Sequence, residues 1–228
     1  MVALALFGLI AAAIYSSWFA IMRGAKVGLS SAAKVQRSRI AMQTIEEALT
    51  SVRSFDANNK YYTFLGENGA GATLSFVSKL SDSFPRSGKF GDFDVRRVTF
   101  ALEQGPDSGK QLVLRQNPIL MDLDKDEVNH PVVIAKDVKA FEMEFWDGRS
   151  ADWIDEWDQT NRVPVMVKIT LRFAGDNFSQ DAKDNIKIVS PPAIAVSAVS
   201  QRPGAQPGTG PGRPGGPPGG QPGQMKMQ

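Results

Sequence analysis

Residues 1–55 read MVALALFGLIAAAIYSSWFAIMRGAKVGLSSAAKVQRSRIAMQTIEEALTSVRSF, an apolar run that passes without a break into an amphipathic one. From Met1 to Met22 no residue is charged. About 20 residues of helix cover about 30 Å, enough to cross a hydrocarbon core. Nine of these side chains are Val, Leu, Ile or Phe, and together they favour insertion by about 3–5 kcal/mol. Tyr15 and Trp18 lie near the far end, where amphipathic rings favour the membrane interface. Beyond Arg23 the pattern turns one-sided: Val35, Met42, Ile45, Leu49 and Val52 recur at helical steps on a polar background. Gly24 and Gly28 predict a bend just outside the span, since each costs about 1 kcal/mol in a helix. Asp56, Asn58 and Asn59 predict a stop after Phe55. A second, smaller strip (Ala33, Ile40, Thr44, Ala48) runs beside the first. It predicts a partner helix in addition to the chain's own sheet, with one broad buried face as the alternative.

The charge pattern around the span raises a question of sidedness. Arg23, Lys26, Lys34, Arg37 and Arg39 all come after it and none precedes it. The positive-inside rule would then keep the rest of the chain in the cytoplasm, unless a basic leader precedes Met1 in the native precursor. A cleavable signal peptide fits less well. The apolar run is longer than its usual core, although Ala11-Ala12-Ala13 offers small residues for cleavage.

The 228 residues carry 26 basic and 24 acidic side chains, a net charge of +2, so no global field argues for nucleic acid. Arg96 and Arg97 lie in a strand without interleaved aromatics, which gives no nucleic-acid platform. With no cysteine, a domain of about 150 residues relies on its core. Alternation predicts strands at Thr73–Ser78, Val95–Leu102, Gln111–Arg115, Pro131–Ala135, Lys139–Asp147, Val163–Phe173, Ile186–Val189 and Ala193–Val199. Gly105 to Gly109 reads as the turn of a hairpin. Met143, Phe145, Val167 and Ile169 fall on the inner faces and are predicted core. From Gln201 to Gln228 the chain is rich in Pro, Gly and Gln, and the expectation there is a disordered tail.

Three constellations could carry chemistry. Asp122, Asp124 and Asp126 alternate as in a calcium loop, with Glu127 beside them. The glycine of such a loop is missing, and Val133 stands where its bidentate Glu belongs, so a solvated acidic turn is the alternative. Residues 145–158 hold Trp146, Trp153 and Trp157 with five carboxylates. Stacking rings beside paired carboxylates would suit a membrane-tethered enzyme acting on glycans, or an anchored binding domain. The other reading is an Asp-Gly turn and then a helical turn with Trp153 and Trp157 on one face, covering the sheet. His130 is the only histidine and sits in a predicted loop. No cysteine, no second histidine for a metal pair and no nucleophile motif accompany it.

The order of parts resembles the type IV pilin and pseudopilin superfamily: an apolar N-terminal helix, an amphipathic continuation, then an antiparallel sheet. Leu114-Arg115, the segment from Val138 through Phe141-Glu-Met-Glu-Phe-Trp-Asp-Gly148, Trp153, Trp157, and Val163-Pro-Val-Met-Val-Lys-Ile-Thr-Leu171 resemble, more narrowly, the J-type minor pseudopilin of type II secretion systems. The resemblance implies an α+β pilin-like fold. Residues 1–22 would be the membrane part of the helix and 23–55 its amphipathic periplasmic part. Residues 56–200 would form the sheet domain, and 201–228 a tail outside the family pattern. It also implies a structural subunit at or near the fibre tip rather than an enzyme, with no cofactor and no small-molecule substrate. The chain would be anchored in the inner membrane with its domain in the periplasm. Partners would be the I- and K-type minor pseudopilins and the major pseudopilin, with prepilin peptidase acting on the precursor. Family precursors carry a basic leader, a Gly cleavage site and a Glu inside the apolar stretch. Met1-Val-Ala-Leu-Ala-Leu-Phe resembles the part of those precursors directly after these features, and a leader upstream would also resolve the charge conflict.

Overall fold

A computed structural model describes residues 2–55, 58, 60–106, 109–159, 162–173 and 184–192. The first element, α1, is a continuous α-helix over Val2–Thr50, 49 residues or about 73 Å long. Gly24 and Gly28 lie inside it, so the bend expected there is not a break. It ends five residues earlier than Phe55, because the next residues are drawn into strand contacts. Val52 bridges Ser78, the Arg53 amide donates to Val77 O at 2.8 Å, and the Lys79 amide donates to Ser51 O at 3.0 Å. The Ser78 hydroxyl donates to Ala48 O at 2.6 Å, occupying one of the carbonyls that a helix end leaves without a partner.

Among the described residues, nine strands make two antiparallel sheets. The first contains β1 (Leu65–Glu67), β2 (Thr73–Lys79), β3 (Val95–Gln104), β4 (Lys110–Pro118) and β5 (Val132–Lys136), in the order β1-β2-β3-β4-β5. The second contains β6 (Val138–Asp147), β7 (Asp152–Ile154), β8 (Met166–Phe173) and β9 (Asp184–Val189), in the order β7-β6-β8-β9. The predicted hairpin joins β3 to β4, closed by Gln104 opposite Lys110. Asp137, at φ 58, is the single residue between β5 and β6, where the chain leaves one sheet for the other. A short helix, α2 (Lys125–Asn129), comes after β4. The last predicted strand, Ala193–Val199, and the tail 201–228 lie outside the described residues.

One core joins helix and sheets. Ile45 and Leu49 of α1, Phe76 and Phe100 of the first sheet, and Phe141, Phe145, Val167 and Ile169 of the second belong to a single buried cluster. Met143 is 1% exposed, while Phe145, Val167 and Ile169 are at 0%. The alternation of β6 accounts for this, since Phe141, Met143 and Phe145 face inward and Glu142 and Glu144 do not. Phe145 packs edge-on against Phe64 at 6.1 Å and beside Trp157 at 6.2 Å between ring centroids. Its ring lies over Gly66, where an added Cβ would come within 2.1 Å of the Phe145 Cζ.

Residues 152–157 differ from expectation. The predicted helical turn is instead β7, which pairs with β6 so that Trp153 faces Trp146 across the strands at 5.5 Å. Trp157 departs from its predicted companion. It exchanges backbone hydrogen bonds with Gly66 and enters the core, its Nε1 donating to Arg162 O at 3.1 Å. The i, i+4 spacing suggested one face, but pairing with β6 satisfied the backbone and extended the chain.

Two substitutions test this packing. Phe145→Ala should cost about 3–5 kcal/mol, the usual range for emptying a buried aromatic site. Gly66→Ala should cost about 1–3 kcal/mol, because the Phe145 ring must move aside. Both are measured as shifts of the denaturation midpoint at constant slope.

Candidate functional site

Among the described residues, the first half of α1 is left uncovered. Its segment Leu6–Lys26 is 21 residues long with a mean hydropathy of 1.5, and no part of it is buried by the chain. Phe7, Leu9, Trp18 and Ile21 are each at least 65% exposed. So much bare apolar surface is unsuited to water, and the length matches a hydrocarbon core. At its end the Arg23 guanidinium sits 4.1 Å from the centre of the Phe19 ring, a cation–π contact.

Burial begins at Ser38. From there Ala41, Met42, Thr44, Ile45, Ala48 and Leu49 are buried, and α1 touches β2, β5 and β9. This corrects the expected partner strip. Thr44 is 6% exposed and Ala48 is at 0%, so neither is available to a second helix. The two strips do meet two neighbours, but both neighbours are sheets of the same chain. Only Ala33 and Ile40 of the strip remain exposed, Ile40 at 48%. Val35, counted in the inner stripe, is also outside the core, at 66%.

The acidic stretch after β4 has a partner that its local sequence does not reveal. Asp124 caps α2, accepting from the Asp126 amide at 3.2 Å. The Lys89 ammonium lies among three carboxylates: Asp126 at 2.8 Å, Glu127 at 3.1 Å and Asp124 at 3.2 Å. Arg86 donates to Glu127 at 2.9 Å, and the Glu127 side chain is completely buried. Asp124 and Asp126 of the expected set therefore gather, with Glu127, round the protein's own Lys89 while remaining half exposed to water; Asp122 is outside this cluster. Among the described residues no group of three or more His, Cys, Asp or Glu is arranged to hold a metal ion. Hydrogen bonds from Lys89 and His130 pull the Asp126 carboxyl below its ordinary range. The Asp126 amide, then Lys89, do the same for Asp124. The hydrogen bond to Asp126 raises Lys89 above its ordinary value. One signal was in the sequence: Arg86 and Lys89 form a small basic pair ahead of the acidic run.

The tryptophan stretch is built mainly as packing. Asp147 is 8% exposed and accepts from Arg162 at 3.2 Å and from the Arg149 amide at 3.0 Å. Asp152 accepts from its neighbour, the Trp153 amide. Trp157 is in the core. Of the other singled-out residues, His130 is an exposed side chain 3.1 Å from Asp126. Arg96 is buried with its guanidinium 4.8 Å from the Phe90 ring centre, donating to the Ser87 hydroxyl at 2.7 Å. Burial lowers the Arg96 pKa.

Lys89→Met should lower the denaturation midpoint at neutral pH, because it leaves the α2 carboxylates facing one another. Carboxyls depressed in the folded state stabilise it above their unfolded pKa of about 4, and that contribution disappears as pH falls through the lowered folded values. The gap between Lys89→Met and the parent should therefore narrow below about pH 4. A gap independent of pH down to about 2 would show that the pairs contribute nothing.

The family described as type II secretion system (T2SS), protein J, matches residues 19–178, more than two thirds of the chain. A comparison with curated proteins gives no match. The matched segment runs from the end of the apolar helix through the first sheet and on past β8 of the second. Much of the helix, the strands and the Trp/Pro segment that suggested the resemblance fall within it, and the chain belongs to the type II secretion system protein J family.

Proposed function

We propose that this chain is a minor pseudopilin at or near the tip of the type II secretion pseudopilus. It would help to assemble the fibre that moves folded proteins across the outer membrane. Membership of the protein J family supports a role in that system and suggests membrane anchoring through the apolar helix. The observation that carries the finer reading is α1 itself. Its last turns belong to the domain core, while Val2, Leu6, Phe7, Ile14 and Trp18 before them are exposed. Residues 1–22 would lie in the inner membrane, 23–55 would connect to the domain, and 56–200 would stand in the periplasm, with 201–228 as an appended tail. Gly8, Ala11, Ala12 and Ala13 present small surfaces that allow close approach of other helices in lipid. Outside lipid, Ala33 and Ile40 would meet the I- and K-type minor pseudopilins and the major pseudopilin. Prepilin peptidase would act on the precursor. The role is structural rather than catalytic, a reading supported by the engagement of Asp147 and Asp152 in turns and an ion pair.

Two experiments test it. Ile40→Glu should leave folding within about 0.5 kcal/mol of the parent, yet abolish co-purification with the I- and K-type subunits. Ala48→Glu should instead unfold the domain, since its carboxylate would enter the core. Intact complexes with Ile40→Glu would remove the helix strip from the assembly. For topology, a reporter fused after Val199 in the native precursor should be active only as a periplasmic enzyme. Activity of a cytoplasm-only reporter at that position would refute the orientation.

A further inference from the structure

The turn that follows β4 holds apolar side chains out in water on a fixed backbone. Leu120 is 77% exposed, Met121 51% and Leu123 39%. The Asn117 side-chain amide donates to Met121 O at 2.9 Å and to Pro118 O at 3.3 Å, and the Met121 amide donates to Pro118 O at 3.0 Å. A second apolar wall comes from the connection between β2 and β3, where Phe93 is 54% exposed and its amide donates to Phe90 O at 3.1 Å. Lys89 ties the two walls together through Asp124 at 3.2 Å. They enclose a pocket of about 340 Å³ with Phe90, Phe93, Pro118 and Met121 in its lining. Its size is within the usual range of ligand pockets, and its walls are in place before anything enters.

The charges around this pocket leave an excess of carboxylates. Asp124, Asp126 and Glu127 outnumber Arg86 and Lys89, with which they pair. Asp94 is matched by Lys79 at 3.3 Å, and the buried Arg96 by Asp82 nearby. His130 beside Asp126 adds a positive charge only when protonated. Asp92 and Asp122 are exposed, with no ion-pair partner among the described residues, and outnumber the exposed Lys125. An apolar pocket with such a rim selects an apolar side chain that has a cation next to it.

We propose that the occupant is the chain's own Met225-Lys226-Met227, docked with a Met side chain in the pocket and Lys226 beside Asp122. Residues 193–228 contain Arg202, Arg213 and Lys226 and no Asp or Glu, so the stretch is basic even with a terminal carboxylate. From Gln201 onward Met225 and Met227 are the only large apolar side chains, and they flank Lys226. An unbranched thioether fills irregular gaps and makes favourable contacts with aromatic rings, here Phe90 and Phe93. Pro192, the last described residue, is 33 positions before Met225. That much chain spans up to about 110 Å when extended, against about 40 Å for the width of a domain of this size. A segment of the same chain also meets the pocket at a local concentration far above that of a dilute partner. Nothing in this docking involves Ile40 or the sidedness of the membrane, so it stands or falls apart from the proposed role.

The chain has no cysteine, so Gln228→Cys accepts a single nitroxide label. The readout is methionine-methyl NMR of the full chain in detergent micelles. The label should broaden the Met121 signal strongly and that of Met166, half-buried in β8 of the other sheet, weakly. Met225→Ser together with Met227→Ser should abolish the difference. Lys226→Glu and Asp122→Lys should each reduce it, and the two combined, with the charges exchanged, should restore it. Equal broadening of Met121 and Met166 overturns the proposal, as does a difference that survives the paired serine change. If nitroxide chains broaden Met121 of separate, isotope-labelled chains mixed with them, the occupant is a second copy and the assignment fails. A Met121 signal left sharp by the label in every sample would leave the pocket to a different polypeptide and overturn it equally.

Discussion

The last three turns of α1 lie against both sheets at once, and Ile45, Leu49 and Ala48 are fully removed from water there. Each sheet has one apolar face, and neither can remain open in water without a cover. A single helix serves both, so its buried face is broad and begins abruptly at Ser38. Polar contacts hold its position: Ser78 on the Ala48 carbonyl at the β2 side, and Lys187 of β9 on Glu46 at 3.0 Å on the other. Because the helix end is part of the core, the direction in which the remaining helix leaves the domain is set by packing rather than by a linker.

A helix about 73 Å long therefore leaves the domain from an end held rigidly by packing, with its apolar first half bare. The same rigidity reaches the second sheet through Phe145, whose ring fills the space that Gly66 leaves empty. Gly66 of β1 also bridges Trp157, and Asn68 exchanges hydrogen bonds with the Met143 backbone of β6.

A second, electrostatic tie holds the connection between β2 and β3 to α2. Lys89 and Arg86 gather the carboxylates of Asp124, Asp126 and Glu127, the last fully buried. Removing such a carboxylate from water is costly unless its oxygens are paired, and here two cations and the Gln116 amide, at 3.4 Å, surround it. Asp124, Asp126 and Glu127 are a counter-ion set for the protein's own lysine.

The sequence by itself determined the elements whose signal is local. A charge-free run of helical length, the alternation of β6 and β8, and the Gly-rich β3–β4 turn each declare themselves within a short stretch, because periodicity is a property of the chain alone. It also determined the family resemblance, through the order of those elements and the Trp/Pro segment. Tertiary structure decided the rest. Whether Thr44 and Ala48 faced a partner or a sheet depended on how many sheets the chain would build. Whether Trp153 and Trp157 shared a helical face depended on β6 offering its edge to β7. Whether Asp124 and Asp126 bound a cation from solution or from the protein depended on Lys89, about 35 residues away in sequence. Burial, strand pairing and charge compensation are relations between distant segments, and no local pattern encodes which distant segment will arrive.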